Sequence, residues 1–297
     1  MTGRSNIEDA NRKLYNKDRV ESFNVKANRL VAKFMTSCVL QYDHSKSSKQ
    51  VVDRQLFVDA EKELDVDSPE VANVSSFWDP KSTTVLDFGC GAGNISLVLK
   101  PYIHKAFGVD ISEDMIDAYS QRTGFDGYAC NIAEDPIPPL EGVQFDAVVT
   151  TLAFHHVEDY QLVTHKLVKY LKPGGRLFVV DFDSTNKYGS LEHCLLIHGL
   201  GHSDHDDKNR RKEVLDQLGT AHTHGFGPEI AIRTLENAGF TNIGVDSHLD
   251  VRVWPTVEEF QTMSGQTGDF ARFPRDAAGR CELSHGLLLV AGQKPLS

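Results

Sequence analysis

An open α/β fold, a doubly wound and mainly parallel sheet with helices on both faces, is predicted by three features of the sequence. A short apolar run at residues 85–88 empties into a loop with glycine at positions 89, 91 and 93, and the loop leads into a segment of helical period. A second apolar run, residues 106–109, ends in Asp110, which stands roughly twenty residues beyond that loop. From there on, short apolar segments alternate with helical ones until a last apolar run at 286–292, the pattern of repeated strand–helix–strand units.

The glycine loop brings backbone close to a ligand. Glycine at alternate positions permits positive φ and removes the side chains that would hold a nucleotide off the main chain. A dinucleotide loop wants glycine at its sixth position, where this chain has Asn94, so a nicotinamide cofactor fits poorly. Asp87, two residues before the first glycine, repels a pyrophosphate and attracts an ammonium group, which makes a cationic ligand the expectation. Asp110 occupies the place from which an acid in this architecture reaches ribose hydroxyls. Glycine loop and second acid together imply a nucleoside.

The runs Val85-Leu-Asp-Phe-Gly-Cys-Gly-Ala-Gly93 and Gly108-Val-Asp-Ile-Ser112 resemble the first two motifs of the class I S-adenosylmethionine-dependent methyltransferases. The resemblance covers roughly residues 83–183, with a weaker tail to about 293. It implies a Rossmann-like methyltransferase fold of seven strands, the last antiparallel, with S-adenosyl-L-methionine as cofactor and S-adenosyl-L-homocysteine as product. Carried over position by position, it puts Asp87, Gly89, Cys90, Gly91 and Gly93 of the first motif and Asp110 and Ile111 of the second against the cofactor. Met115 then falls where the family packs an apolar side chain on the adenine. Asn131, followed by Ile132, falls where the family places a polar residue, mostly Asp, that recognises the adenine amino group; Asn offers the same carbonyl acceptor without the charge. Thr151 and Leu152, with Ala153, fall where the sulfonium and acceptor ends are lined.

Length and charge bound the rest. A chain of 297 residues holds one large α/β domain with additions or two small ones. Acidic residues outnumber basic ones by 42 to 31, for a formal charge of −11, so nucleic acid is not expected as a partner. The five cysteines make no Cys-x-x-Cys pair and suggest neither a disulfide framework nor a zinc ribbon. No apolar run approaches a membrane span, and Glu8, Asp9 and Asp18 disfavour a leader peptide, so a cytoplasmic location is the expectation.

Helical spacing runs through residues 20–39, and a second helical pattern is read from Val52, Leu56, Phe57, Ala60 and Leu64. Residues 1–80 are therefore expected to form a helical N-terminal cap and residues 81–297 the cofactor domain, with insertions at about 184–227 and 254–284. In the methyltransferases this chain resembles, such N-terminal helices lie over the cofactor, which makes Tyr15, Phe23 and Phe34 candidates for substrate contact; covering one edge of the sheet is the alternative. Strands are expected at 128–131, 145–152, 176–181 and 242–253, and a helix at 160–171 that Lys172-Pro-Gly-Gly175 ends. Trp254, Phe260, Met263, Phe270 and Phe273 stand as a candidate apolar wall for the acceptor, or as a lid packed on the sheet.

The chemistry implied by the resemblance is in-line displacement at a sulfonium methyl carbon, in which positioning does most of the work. The acceptor is expected to be a small molecule. A general base matters only where that acceptor keeps its proton at neutral pH. His155 and His156, just past the fourth motif strand, and His224 are the candidates, in no order; the ubiquinone and menaquinone methyltransferases, which this part resembles, use a histidine there to orient the loop. Asp181 and Asp183 close the next strand, each able to orient an acceptor or to cap a loop. The histidine-rich stretch 193–224 aligns His198, His202 and His205 at helical spacing, but Gly199 and Gly201 weaken that helix, and no metal is expected. A non-catalytic cofactor-binding regulator stands as the alternative to an enzyme.

Overall fold

The computed structural model describes residues 6–45, 49–133, 137–190, 193, 219–221, 226–264 and 273–296. Three helices open the chain, α1 (Asn6–Leu14), α2 (Lys17–Asn24) and α3 (Lys26–Leu40), followed by strand β1 (Gln50–Asp59) and the single turn α4 (Ala60–Glu63). Next come β2 (Thr84–Phe88), α5 (Asn94–Leu99), β3 (Lys105–Asp110), α6 (Glu113–Thr123) and β4 (Asp126–Ala129). The chain continues through β5 (Phe145–Thr151), α7 (Tyr160–Leu167), β6 (Leu171–Phe182), α8 (Pro228–Asn237), β7 (Thr241–Val253), α9 (Val257–Ser264) and β8 (Leu283–Gln293). No helix among the described residues is long and apolar enough to cross a membrane.

All eight strands join one sheet in the order β1-β7-β8-β6-β5-β2-β3-β4. β8 runs antiparallel to both its neighbours, and the remaining pairs are parallel. β2 has β3 on one side and β5 on the other, so successive crossovers leave it in opposite directions. A crevice opens at that reversal, beyond the carboxyl ends of the strands.

The doubly wound, mainly parallel sheet is as expected, but it has eight strands rather than seven. The extra one is β1, which replaces the helix read from Val52, Leu56 and Phe57. β1 lies at the sheet's edge, where Val51, Leu56 and Phe57 remain 40 to 46% exposed, so its apolar residues never show the strict alternation of a half-buried strand. What captures it is non-local: parallel pairing to β7, with Arg54 in an ion pair to Asp246 (3.1 Å) and the Arg252 guanidinium 5.0 Å from the centre of the Phe57 ring. The helix expected over 20–39 is two, parted at Val25, whose extended backbone (φ −57°, ψ 132°) separates α2, packed on α6 and α9, from α3, packed on α5 and β7.

The central strands are buried on both faces, and alternate residues feed separate cores. Val85, Val149, Phe178, Leu287 and Leu289 face α3 and the segment around Trp78; Leu86, Val148, Val179, Leu288 and Val290 face α7 and α8. In the first core Phe178 meets Tyr42, Phe77 and Trp78 with ring centres 5.8, 6.0 and 5.5 Å away. The first core also holds Phe260 and Phe273 of the 254–284 insertion. A Thr256–Glu259 capping box opens α9, each residue's side chain accepting from the other's backbone N–H (3.1 and 2.8 Å).

One buried polar knot ties β2 to the two helices beside it. The Asp87 carboxyl, 1% exposed, accepts from Ser96 Oγ of α5 at 2.6 Å, and Ser96 Oγ lies 2.9 Å from the Tyr119 hydroxyl of α6. Burial pushes the Asp87 carboxyl up to about 7, against the Ser96 hydrogen bond that lowers it. An acid whose pKa is raised in the fold contributes stability that is complete below its unfolded value and lost as pH rises through the folded one. Asp87→Asn removes that titration, so thermal melts at pH 5, 6, 7 and 8 should show the variant gaining on the wild type up to about pH 7; a constant difference would contradict the buried protonated acid. Phe178→Ala should cost about 3–5 kcal/mol in urea unfolding, because it empties the meeting point of the Tyr42–Trp78 segment and the sheet.

Candidate active site

The end of β2 turns through three left-handed glycines, Gly89 (φ 67°), Gly91 (φ 48°) and Gly93 (φ 86°). A Cβ on Gly91 would lie 2.7 Å from the Phe23 ring of α2, and one on Gly89 would lie 2.6 Å from Ala153 Cβ. The loop is fixed to β3 by Asp110: its carboxylate accepts from the Gly91 N–H at 2.9 Å and from the Ser112 N–H at 3.0 Å. Burial raises the Asp110 carboxyl above the ordinary range, with those two amides pulling the other way. Ser112 caps α6, accepting from the Met115 N–H (3.2 Å), and its own hydroxyl donates to the carbonyl of Tyr15.

Above the crevice the helices α1 to α3 close a cavity of about 610 Å³. From the first two motifs Gly89, Cys90, Gly91, Asp110 and Ile111 line it. Asn131, Ile132, Thr151, Leu152, His155 and His156 line it as well, although they come from two later segments of chain. Asp87, Gly93 and Met115 are not on its wall. Asp87 faces Ser96, so the ammonium contact expected of it is not available from this orientation. Gly93 sits under Thr123, 2.6 Å from where its Cβ would be, and Met115 is wholly buried beside Ala92 and Ala118. His224 lies outside the described residues, as do His198, His202, His205, His222 and Phe270. His193 is described; its Nε2 lies 2.7 Å from the Ser284 carbonyl.

The two adjacent histidines are held differently. His155 Nδ1 lies 2.8 Å from Asp181 Oδ1, and the His155 N–H donates to Oδ2 at 3.2 Å. Burial raises the Asp181 pKa, but His155 and the Phe182 and His155 amides outweigh it, and the carboxyl stays below its usual value. An ionised Asp181 accepts the hydrogen bond from Nδ1–H, which leaves the lone pair on Nε2 of a ring that is 14% exposed at the cavity wall. His156 Nδ1 lies 3.1 Å from the Gly219 carbonyl, which only accepts, so Nε2 is the acceptor for the Tyr15 hydroxyl at 3.0 Å. Burial pushes the Tyr15 phenol up to about 12, Asp110 and Asp181 adding to the rise against Arg19. Asp183 instead serves a loop, accepting from the Thr185 N–H (2.9 Å) and the His248 N–H (3.2 Å). Leu152, between β5 and the histidines, holds a left-handed φ of 48°, which costs a non-glycine residue about 1–3 kcal/mol.

Helix α1 supplies wall residues that no sequence pattern singled out. Glu8 accepts from Asn131 Nδ2 at 3.0 Å and pairs with Arg12 at 2.9 Å, and Arg12 donates to the Ile111 carbonyl. Asn11 Nδ2 donates to the carbonyls of His156 (3.2 Å) and Gly219 (3.1 Å). Tyr15 and Phe23 reach the cavity as considered, whereas Phe34 belongs to the core. Of the candidate acceptor wall at 254–273, Met263 lines the cavity. The residues fit an adenosyl group: a carboxylate at the end of β3 for a diol, loop amides close by, and apolar Ile111 and Ile132 beside the Asn131 amide.

A protein-family model described as a methyltransferase domain matches residues 86–179. The chain is 31% identical over 271 residues to the uncharacterized methyltransferase C1347.09 of Schizosaccharomyces pombe, covering 86% of this chain and 88% of that one. It is 27% identical over 126 residues to the chloroplastic 2-phytyl-1,4-beta-naphthoquinone methyltransferase of Arabidopsis thaliana, covering 39% of this chain and 48% of that relative. Among solved structures, YcgJ of Bacillus subtilis superposes with a TM-score of 0.48 at 16% identity, over 72% of this chain and 92% of that one. With residues of both motifs lining one cavity, and the likeness to C1347.09 running along most of both chains, the chain belongs to the class I S-adenosylmethionine-dependent methyltransferases.

Proposed function

We propose that the enzyme methylates a small, largely apolar acceptor bearing an ionisable hydroxyl or activated carbon, with His155 as general base and Asp181 as the group that orients it. The observation that carries this reading is the shared cavity: the cofactor motifs and the Asp181-held imidazole line one cleft. Apolar side chains of the cap and the sheet, among them Leu14, Met35, Val163 and Phe182, make up the rest of the wall, which suits a ring system. Three relatives are named for apolar ring acceptors: the naphthoquinone methyltransferase, a 2-methyl-6-phytyl-1,4-hydroquinone methyltransferase of Synechocystis and a sterol 4-C-methyltransferase of Caenorhabditis elegans. The excess of 42 acidic over 31 basic residues argues against a nucleic-acid acceptor.

S-adenosylmethionine, when bound, supplies a methyl carbon already activated by the sulfonium charge. In this reading Asp110 holds the ribose hydroxyls, Asn131 and Glu8 border the adenine, and the Gly89–Gly91 loop, Thr151 and Leu152 approach the sulfonium end. The cap excludes water and fixes the acceptor's approach, worth up to ~7–11 kcal/mol when orientation is right. His155 Nε2 accepts the acceptor's proton, and Asp181 stabilises the imidazolium through Nδ1–H.

Transfer of labelled methyl from S-adenosylmethionine into a cell extract, separated into small-molecule, lipid and protein fractions, identifies the acceptor class; label in protein alone would refute the small-molecule assignment. With the acceptor in hand, His155→Gln should lower turnover by about 10²–10⁴-fold while leaving S-adenosylhomocysteine affinity unchanged, and full turnover would remove His155 from the chemistry. Asp110→Ala should weaken S-adenosylhomocysteine by about 1.5–3 kcal/mol in calorimetric titration, through lost hydrogen bonds to a charged group.

A further inference from the structure

Helix α2 places one guanidinium at the cavity wall. Arg19, Ser22 and Phe23, at i, i+3 and i+4, all line the cavity from that helix, and the Phe23 ring fills the space over Gly91. Arg19 therefore stands one helical turn from the glycine loop. The other charged groups described above are satisfied: Glu8 has Arg12 and Asn131, Asp110 has two backbone amides, and His155 has Asp181. The Arg19 guanidinium makes one hydrogen bond, from Nη1 to the Thr262 carbonyl at 3.2 Å, and among the described residues no carboxylate is within ion-pair distance of it. A guanidinium has five N–H donors in a planar fork and stays charged, so partly burying it in a wall that also carries Phe23, Leu14 and Met263 costs desolvation that an anion would offset. The turn of Asp87 away from the cavity leaves the loop end without the acid expected there.

We infer that Arg19 is the anion-binding group of this cavity and takes a carboxylate in its guanidinium fork. Two ligands bring a carboxylate to this site: the aminoacyl end of the cofactor, beside the loop, and an acceptor that carries one. The inference rests on the methyltransferase reading of the cavity and adds the charge its ligand must have.

Calorimetric titration of wild type, R19Q and R19K separates the sources. S-adenosylhomocysteine is compared with 5′-methylthioadenosine, which keeps the nucleoside and lacks the carboxylate. A loss of about 10- to 100-fold for S-adenosylhomocysteine in R19Q, with methylthioadenosine unchanged and partial recovery in R19K, assigns Arg19 to the cofactor's carboxylate. If both nucleosides bind R19Q normally, 4-hydroxybenzoate is titrated in saturating S-adenosylhomocysteine; binding that weakens at least tenfold in R19Q, with 4-hydroxybenzyl alcohol indifferent, assigns it to the acceptor. Equal losses of S-adenosylhomocysteine and methylthioadenosine would show that Arg19 merely docks α2, and no Arg19-dependent binding of either carboxylate would overturn the inference outright. Wild-type protein that binds neither nucleoside would refute the cofactor site itself, and this inference with it.

Discussion

The bonds from Gly91 and Ser112 to the Asp110 carboxylate are the interaction on which the rest of the site depends. They close the end of β2 onto the end of β3 and set the start of α6 in the same step. A carboxylate withdrawn from water is costly unless its oxygens are hydrogen-bonded, and two backbone amides meet that requirement without using a side chain that a ligand would have to displace. From this point the constraint spreads upward: Ser112 donates to the Tyr15 carbonyl, Asn94 Nδ2 donates to the Phe23 carbonyl at 3.0 Å, and Lys17 N–H donates to Asp114 at 3.0 Å. The cap is thus bonded to the loop and helices that border the cofactor end, and its position follows from theirs.

Two buried acids show how environment divides roles within one sheet. Asp87 and Asp181 are each 1% exposed, on β2 and β6. Asp87 faces a serine and a tyrosine, neither of them charged, and its carboxyl is pushed up to about 7. Asp181 faces His155 and two amides, and its carboxyl is pulled below the ordinary range. The first is a strut that burial keeps protonated at mildly acidic pH, the second a negative charge behind an imidazole. Residue type and strand position alone do not separate them; the partner does.

That difference marks what the sequence conveys about this protein. The loop at 89–93, the acid at 110 and the strands feeding two cores were legible because their signals are local: glycine spacing, a strand-terminal acid, runs apolar on both faces. Asp181 and the histidine pair were legible as residues at or just past strand ends, although the 2.8 Å pairing of His155 with Asp181 was not, since one follows β5 and the other lies on β6. β1 was misread because an edge strand with exposed Val51, Leu56 and Phe57 carries no period of two, and its pairing partner is β7, far along the chain. Glu8, Asn11 and Arg12 were invisible for the same reason: their partners Asn131, Gly219 and Ile111 lie about a hundred residues or more away in sequence.

Helix α1 joins the two halves of the cavity. Through Glu8 and Arg12 it holds Asn131 and the Ile111 carbonyl; through Asn11, with Tyr15 just past its end, it holds His156 and the Gly219 carbonyl. No strand spans that distance across the crevice, because each strand contributes only its carboxyl end. The segment matched by the methyltransferase-domain model, residues 86–179, supplies the glycine loop, Asp110, Asn131 and both histidines. Tyr15, Arg19, Met35, Phe182, Thr220 and Met263, which enclose the remaining space, all come from outside it. The glycine loop, Asp110, Asn131 and His155 thus belong to the part of the chain shared with the family model, whereas the groups that lean on them from above, Glu8, Tyr15 and Arg19 among them, come from the parts added around it.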